Sequence, residues 1–296
     1  MQLSKNNIIF EESKGYPYKD FVIFSLEQQV ITYKNSVISY CRFGQGPATV
    51  ICFHGFGEDA MVYAFLEKYA GHQYTFYAID LPFHGKTSWE EGLDFNNADL
   101  AQIIDTMLER TPGDLSQLYL LGFSLGGRVA LSFYESRAGQ TTKLVLLAPD
   151  GLKINFWYWL ATQTLLGNRL FAFSMKYPGW FFYLLKVFNK TGFVNSSVYK
   201  FVCFYIGNSQ AREVLYTRWT GLRKLKPNLV KVKSFIRQYR TPARLVYGKY
   251  DRVILPIRGS KFQKGIEEHC TISVIDSGHQ VLHEKHVEEI LNALRH

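Results

Sequence analysis

Cysteine is scarce in this chain of 296 residues, which contains only four of them. They lie far apart, without C-x-x-C spacing, at Cys41, Cys52, Cys203 and Cys270. This scatter argues against a disulfide framework and against a cysteine-based metal site. Cys52 lies inside an apolar run and is expected to pack as a small buried hydrophobe.

Long apolar runs are also missing. The most aromatic stretch, 156–188, is interrupted by polar and charged residues, among them Gln163, Asn168, Arg169 and Lys176. It is therefore not expected to span a bilayer. Residues 1–12 are polar and of mixed charge, without the apolar segment of a secretory signal. We expect a cytoplasmic protein, with peripheral contact to an anionic membrane as an open alternative.

Acidic residues are nearly absent from the stretch 152–240. It holds 15 Lys and Arg against a single acid, Glu213, a balance of +14 that leaves −5 for the rest of a chain of net charge +9. Such a segment suits an anionic membrane or an anionic substrate, but a solvated basic face is the favoured single explanation. Nucleic acid is not expected as a partner, because no recognisable binding module accompanies the basic residues.

Continuous apolar runs alternate with helical patterns over most of the chain, and such runs are typical of strands buried on both faces. They predict strands at 48–53, 74–79, 118–121, 143–148, 243–247 and 271–275. Helical spacing predicts helices at 59–69, 97–110 and 280–295, and alternation over 21–43 predicts an antiparallel hairpin. We expect an α/β fold, with a mostly parallel sheet covered by helices on both faces.

The alternation stops after Gly151 and resumes near the predicted strand 243–247. The intervening stretch is aromatic, basic and mostly helical. We therefore expect a core formed by 1–151 and 227–296 and an inserted helical cap, or lid, at 152–226. Open α/β sheets bind ligands at the carboxyl ends of their strands, where this insertion lies. Most of its aromatic side chains are expected to pack the lid onto the core, and the others to line an apolar substrate pocket. The seven in question are Trp157, Trp159, Phe171, Phe173, Trp180, Phe181 and Phe182.

A strand, a sharp turn and a helix are predicted at 118–130, with Ser124 at the apex of Gly-Phe-Ser-Leu-Gly. Such a turn, which we call the elbow, raises the serine above the sheet and exposes the backbone amide of Leu125. The turn is so tight that side chains at Gly122 and Gly126 would clash. A serine needs a base and an oxyanion hole to act as a nucleophile.

The second donor of an oxyanion hole is expected in His54-Gly55-Phe56-Gly57, directly after a predicted buried strand. The turn would expose the amide of Phe56 beside that of Leu125. The side chain of His54 is interpreted as a hydrogen-bonding scaffold for this turn, not as a base.

Asp251 and His279 each follow a predicted strand, as Ser124 does. The chain order Ser, Asp, His is the order of a serine triad on an α/β sheet. His279 would accept the serine proton, and Asp251 would hold the imidazole in the correct tautomer. Asp150, at the end of the strand after the elbow, is the alternative acid. Asp276 is too close to His279 in sequence to orient it easily.

A metal site is a weaker interpretation of the histidines near the end of the chain. His283, Glu284 and His286 fall one residue short of the spacing His-Glu-x-x-His. No third ligand is visible in the sequence, so a solvated helix is favoured and no metal is expected.

Together these residues resemble the α/β-hydrolase superfamily, in its capped branch of serine esterases and carbon–carbon bond hydrolases. The resemblance covers about 21–295 and is weakest in the cap. It implies catalysis by Ser124, Asp251 and His279, an oxyanion hole formed by Phe56 and Leu125, and no cofactor. The loop 80–85 also looks like a loop of this family, but Phe83 departs from the pattern and adds bulk. A serine at the elbow argues against epoxide hydrolases and haloalkane dehalogenases, which use aspartate.

The predicted function is hydrolysis of an ester, a thioester or an activated carbon–carbon bond of an apolar small molecule through an acyl-enzyme. Lyases and acyltransferases that use the same triad, and a lipase-like enzyme acting at a membrane surface, remain alternatives. A non-catalytic binding protein would not need an intact Ser, Asp and His set. The substrate-binding residues are not predicted.

Overall fold

A computed structural model describes residues 26–110, 117–192, 199, 202–203 and 206–296. Its strands are β1 (Glu27–Tyr33), β2 (Ser36–Phe43), β3 (Ala48–Phe53), β4 (Tyr74–Ile79), β5 (Leu118–Phe123), β6 (Thr141–Leu147), β7 (Ala243–Gly248) and β8 (Cys270–Ile275). The first five α-helices are α1 (Leu66–Ala70), α2 (Asn97–Glu109), α3 (Leu125–Arg137), α4 (Phe156–Gln163) and α5 (Leu165–Lys176). They are followed by α6 (Gly179–Lys190), α7 (Ser209–Gly221), α8 (Leu229–Tyr239), α9 (Ile257–Gln263) and α10 (Val287–Arg295).

The strands form one sheet in the order β1-β2-β4-β3-β5-β6-β7-β8. β2 pairs antiparallel with both β1 and β4, whereas the other neighbouring strands pair in parallel. The predicted mostly parallel sheet is therefore confirmed. The predicted hairpin is confirmed from Glu27 onward, with Lys34 in its turn at a φ of 52°, whereas 21–25 lie outside the described residues.

Helices cover both faces of the sheet, as the sequence predicts. One buried apolar cluster joins the sheet to α2, α3 and α8 and contains Ile104, Phe133 and Ile236. A second cluster on the other face joins it to α1 and α10 through Leu66 and Ile290. The strands in the middle of the sheet are buried on both sides, which is why they appear in the sequence as unbroken apolar runs.

Two predicted helices are partly wrong. The segment 59–69 is divided into a 3₁₀ turn, Ala60–Tyr63, and the short helix α1, because the amide of Ala60 donates to the buried carboxylate of Asp80 at 2.7 Å. At the end of the chain the α-helix begins only at Val287. The residues after His279 form tight turns instead, with the amide of Val281 donating to the carbonyl of His279 at 2.9 Å.

The helices α4 to α7 lie between β6 and β7, inside the range predicted for the cap. Their contacts with the core include a hydrogen bond from Arg128 of α3 to the hydroxyl of Tyr158 in α4, at 2.6 Å. We call 152–226 the helical insertion; its division from the core as a separate domain stays a prediction. Within the described ranges, no helix is long and apolar enough to cross a membrane.

Candidate active site

Ser124 lies between β5 and α3 in a strained backbone conformation, with φ 50° and ψ −114°. Non-glycine residues rarely adopt a positive φ, which costs on the order of 1–3 kcal/mol and persists only where the surroundings enforce it. Here the amide of Ser124 donates to the carbonyl of Leu147 at 2.9 Å. Its own carbonyl accepts from the amides of Gly127 and Asp150 at 2.9 and 2.8 Å. Three backbone hydrogen bonds thus hold the turn in place.

The two glycines flanking Ser124 are required by close backbone contacts, as the sequence predicts. A Cβ on Gly122 would lie 2.4 Å from the carbonyl oxygen of Gly126. A Cβ on Gly126 would lie 1.7 Å from the carbonyl oxygen of Phe53 and 2.9 Å from that of His54. The elbow therefore packs directly against the end of β3, where the His-Gly-Phe-Gly loop begins.

The structure brings Ser124, Asp251 and His279 together. His279 Nε2 lies 3.0 Å from Ser124 Oγ, and its Nδ1 lies 2.8 Å from Asp251 Oδ2. The other carboxylate oxygen of Asp251 accepts the amides of Val253 and Ile254 at 2.7 and 2.8 Å. With one oxygen held by two amides, the other faces Nδ1, so that Nδ1 carries the proton and Nε2 faces the serine as an acceptor.

Asp150, the alternative acid, has a different partner. Its Oδ2 lies 3.4 Å from Nε of Arg128, a buried residue of α3. The guanidinium of Arg128 also donates to Tyr158 in the helical insertion. Asp150 therefore belongs to a contact between the core and the insertion, and it makes no hydrogen bond to His279.

The loop that carries Phe56 is tightly constrained. Gly55 donates its amide to the carboxylate of Glu58 at 3.0 Å and accepts the amide of Glu58 at 3.3 Å. Gly57 adopts a φ of 84°, which glycine allows without strain. Within the described part of the chain, neither the amide of Phe56 nor that of Leu125 donates a hydrogen bond. These two amides can therefore donate hydrogen bonds to an oxyanion.

His54 uses both ring nitrogens to shape this loop. Its Nδ1 donates to the carbonyl of Gly55 at 2.8 Å, and its Nε2 accepts the amide of Leu81 at 3.1 Å. The ring is fully buried, and burial lowers the pKa of its imidazole. Because both nitrogens are occupied and the neutral form is favoured, His54 joins the loops after β3 and β4 and has no free nitrogen to act as a base.

A second buried imidazole, His84, lies beside His54 with ring centroids 5.0 Å apart. Its Nδ1 donates to the carbonyl of Pro82 at 2.9 Å, whereas its buried Nε2 has no hydrogen-bond partner among the described residues. Burial, together with the neighbouring His54 and Arg218, lowers the pKa of His84 to about 3. His84 is therefore neutral over the range in which the protein would work.

We expect acid to destabilise the protein through His84. Between about pH 6.5, where an unfolded histidine titrates, and about pH 3 the unfolded chain binds a proton that the native chain does not. Stability therefore falls as the pH drops, by up to about 3 kcal/mol between pH 6.5 and 4.5 at about 1.4 kcal/mol per unit. Urea unfolding at both pH values measures this difference.

The variant His84→Asn isolates that contribution, because asparagine keeps a donor for the carbonyl of Pro82 and does not titrate. Its unfolding free energy should depend less steeply on pH than that of the wild type. His72→Asn is the matched control at an exposed site. Equal pH dependence in the wild type and in His84→Asn would contradict the assignment.

Arg218 of α7 connects the helical insertion to these loops. Its Nε donates to the carbonyl of Phe83 at 2.9 Å, and its guanidinium carbon lies 5.5 Å from the centroid of the Phe56 ring. Burial lowers the pKa of Arg218, and no acid in the described ranges forms an ion pair with it. The insertion thus places an unpaired positive charge over the loop that carries Phe56.

The bulk of Phe83, which departs from the family pattern, is directed at the insertion. Phe83 has a φ of 67°, and a Cβ on Gly221 would lie 2.2 Å from its ring. The ring therefore packs against the backbone at the end of α7. The sequence predicts neither this contact nor the role of Arg218. In the sequence, Arg218 is simply one of the fifteen basic residues of 152–240.

The histidines near the end of the chain act as part of a turn. His283 Nδ1 accepts the amide of Lys285 at 3.1 Å, and His286 is buried. In the described ranges, no three His, Cys, Asp or Glu side chains form a group that could hold a metal ion.

We compared the chain with known proteins. The sequence profile of the serine aminopeptidase family, S33, matches residues 44–286. The pimeloyl-acyl-carrier protein methyl ester esterase of Aeromonas salmonicida (strain A449) is 30% identical over 138 residues, which are 46% of this chain and 52% of that esterase. The match thus spans about half the length of that relative.

Solved structures share the fold at low sequence identity. A serine hydrolase from Cycloclasticus zankles superposes with a TM-score of 0.61 at 16% identity, covering 91% of this chain and 97% of that one. A thioesterase domain from the curacin biosynthetic pathway gives a TM-score of 0.59 at 16% identity, covering 91% and 99%. Because the family profile matches residues 44–286, most of this chain, the chain belongs to the serine aminopeptidase S33 family of the α/β-hydrolase superfamily.

Proposed function

We propose that the chain is a serine-nucleophile hydrolase that cleaves an ester or thioester of an apolar acyl group through an acyl-enzyme. The observation that carries this proposal is the continuous hydrogen-bonded line from Ser124 Oγ to His279 at 3.0 Å and on to Asp251 at 2.8 Å. Nucleophile, base and orienting acid lie within hydrogen-bonding reach of one another, as the chemistry requires.

In the proposed reaction, Ser124 Oγ attacks the carbonyl carbon of the substrate while His279 Nε2 removes its proton. The tetrahedral oxyanion accepts hydrogen bonds from the amides of Phe56 and Leu125. His279 then gives its proton to the leaving alcohol or thiol, which leaves an acyl group on Ser124. A water molecule, deprotonated by His279, hydrolyses this acyl-enzyme, and Asp251 stabilises the imidazolium in both halves.

An ester or thioester is proposed in preference to a peptide, although the family is described as aminopeptidases. An aminopeptidase must accept the cationic amino terminus of its substrate. Here the segment 152–240 carries a balance of +14, and Arg218 places one of those charges beside Phe56. A like charge at this position disfavours an ammonium group. Relatives that act on an ester and a thioester, by their names, add support.

Transfer of the acyl group to an alcohol or thiol instead of water is the second candidate. It is motivated by a match to the dihydrolipoyllysine-residue acetyltransferase component of the acetoin cleaving system of Cupriavidus necator, 29% identical over 114 residues. That match covers only 30% of the relative. An added thiol acceptor separates the two: a transferase forms the new thioester faster than free acid, and a hydrolase does not.

A panel of p-nitrophenyl esters and acyl thioesters, graded from acetyl to lauroyl, tests the proposal. We expect turnover of esters and thioesters and no release of p-nitroaniline from aminoacyl anilides. Preference for an anilide would overturn the choice of substrate class. Absence of turnover across the panel, with a folded protein, would favour a binding protein.

A further inference from the structure

The helical insertion exposes an unusual amount of apolar surface. Trp157 of α4 is 70% exposed, and Leu165 and Leu166 at the start of α5 are 73% and 80% exposed. Four of the seven aromatic side chains expected to form the lid, Trp157, Trp159, Phe173 and Trp180, are at least 37% exposed. The expectation that most of them pack onto the core is therefore wrong. We call the exposed side chains of α4 to α6 the exposed apolar face.

The exposed residues follow the helical repeat. On α5 they are Leu166, Leu170 and Phe173, and on α6 they are Trp180, Leu184 and Val187. Each set recurs at spacings of three and four residues, which places its members along one side of their helix. An apolar stripe of this kind normally faces a protein core, whereas both stripes here face solvent. This arrangement is typical of a surface that has a partner.

The same helices are basic without a compensating acid. Residues 151–208 contain no Asp or Glu. Five of their basic side chains are exposed, Lys153, Arg169, Lys176, Lys186 and Lys190. None of these five forms an ion pair within the described ranges. Apolar and cationic side chains are therefore interleaved on α5 and α6.

A cleft of about 390 Å³ lies at the base of this face, where α4 approaches α9. Its lining includes two cations, Lys153 and Arg258, and two aromatic rings, Phe156 and Trp159. Leu255 and Ile257, just before Arg258 in the chain, are 46% and 56% exposed. The combination of cations and aromatic rings suits the level of phosphate headgroups at a bilayer surface.

We propose that the exposed apolar face docks onto an anionic phospholipid bilayer, with its leucines and tryptophans entering the interface and its lysines facing the headgroups. This goes beyond the proposed hydrolase activity and does not depend on Ser124. No described helix can span a bilayer, so the helices lie in the plane of the interface. Docking would bring an enzyme with a lid of this kind next to substrates that partition into lipid.

Two other occupants fit the face less well. A second copy would bring two basic faces together, and their like charges would repel. A protein partner is disfavoured because protein interfaces are depleted in lysine, whereas four exposed basic side chains lie on α5 and α6 and Lys153 lies just before α4. A bilayer accepts the leucines and the lysines simultaneously.

Co-sedimentation of the full chain with vesicles tests the proposal. Vesicles of phosphatidylglycerol and phosphatidylcholine in equal parts should bind the chain, and vesicles of phosphatidylcholine alone should bind it far less. High salt should weaken the binding, because it screens the lysines. Ser124→Ala should bind like the wild type, so failure of the proposed chemistry and failure of docking are distinguished.

Two pairs of variants separate the apolar and charged contributions. Leu166→Ser with Leu170→Ser should weaken binding at least tenfold, since each leucine loses apolar burial, whereas Val30→Ser with Val274→Ser, at exposed sites on the two edge strands, should not change it. Lys176→Gln with Lys186→Gln should weaken it about thirty-fold, at about 1 kcal/mol per lysine.

The matched charge control is Lys264→Gln with Lys285→Gln, at exposed positions of the core, and it should leave binding unchanged. Equal binding to neutral and anionic vesicles, or none, would overturn the proposal. So would a lipid-free dimer that Leu166→Ser with Leu170→Ser dissociates. Tight binding of polyglutamate that is unaffected by the leucine pair would point to an acidic protein instead.

Discussion

Replacing Ser124 by alanine should abolish turnover and leave the fold intact. In a well-studied serine hydrolase, loss of the nucleophile lowered kcat on the order of a million-fold, and we expect a loss of that scale with p-nitrophenyl esters. The methyl group cannot form the acyl intermediate. The structure gives no reason for a loss of stability, because the backbone contacts that hold the elbow do not involve the hydroxyl.

The control for this experiment is Ser260→Ala, at an exposed position of α9, which should keep full activity. Thermal unfolding of Ser124→Ala should match that of the wild type. If Ser124→Ala retains more than about a thousandth of the wild-type kcat while folded, another group is the nucleophile.

Replacing Asp251 by asparagine should lower kcat on the order of ten-thousand-fold, the scale seen for the same change in a well-studied serine protease. The asparagine oxygen can still accept the amides of Val253 and Ile254. Its amide nitrogen then faces His279 Nδ1 as a donor, which forces the proton onto Nε2 and removes the acceptor that Ser124 needs.

Asp150→Asn provides the comparison, because Asp150 also follows a strand and also carries a carboxylate. Its partner is Arg128 at 3.4 Å, so the change should alter stability more than kcat. A larger loss of kcat in Asp150→Asn than in Asp251→Asn would show that the acid lies after β6.

The core of the fold could be predicted because its strands are buried on both faces. β3 and β4 have the bounds that their apolar runs indicate. The helix predicted at 59–69 is only partly correct, because a contact distant in sequence, from Ala60 to Asp80, holds its first turn in a 3₁₀ conformation. Hydrophobic periodicity does not reveal a hydrogen bond between residues distant in sequence.

The candidate site, like the fold, could be predicted only in part from the sequence. The positions of Ser124, Asp251 and His279 follow from one rule, since the carboxyl ends of parallel strands meet at one edge of the sheet. The orphaned nitrogen of His84 and the placement of Arg218 over Phe56 could not be predicted. Both depend on how the helical insertion and the loop after β4 pack together, which local sequence does not determine.

The exposed apolar face could not be predicted from the sequence for a similar reason. Helical spacing shows that Leu166, Leu170 and Phe173 share one side of α5, but it does not show whether that side faces the core. In the sequence, the unbalanced charge of 152–240 was the feature that pointed toward the proposed partner. The structure adds that the apolar and basic side chains lie on the same helices.

Labelling with a fluorophosphonate probe tests whether His279 activates Ser124. The probe reacts with a serine only where a base removes the hydroxyl proton and an oxyanion hole receives the charge. Peptide mass spectrometry should find the label on Ser124 in the wild type and none in His279→Ala. A label on a different serine, or equal labelling of Ser124 in His279→Ala, would contradict the account.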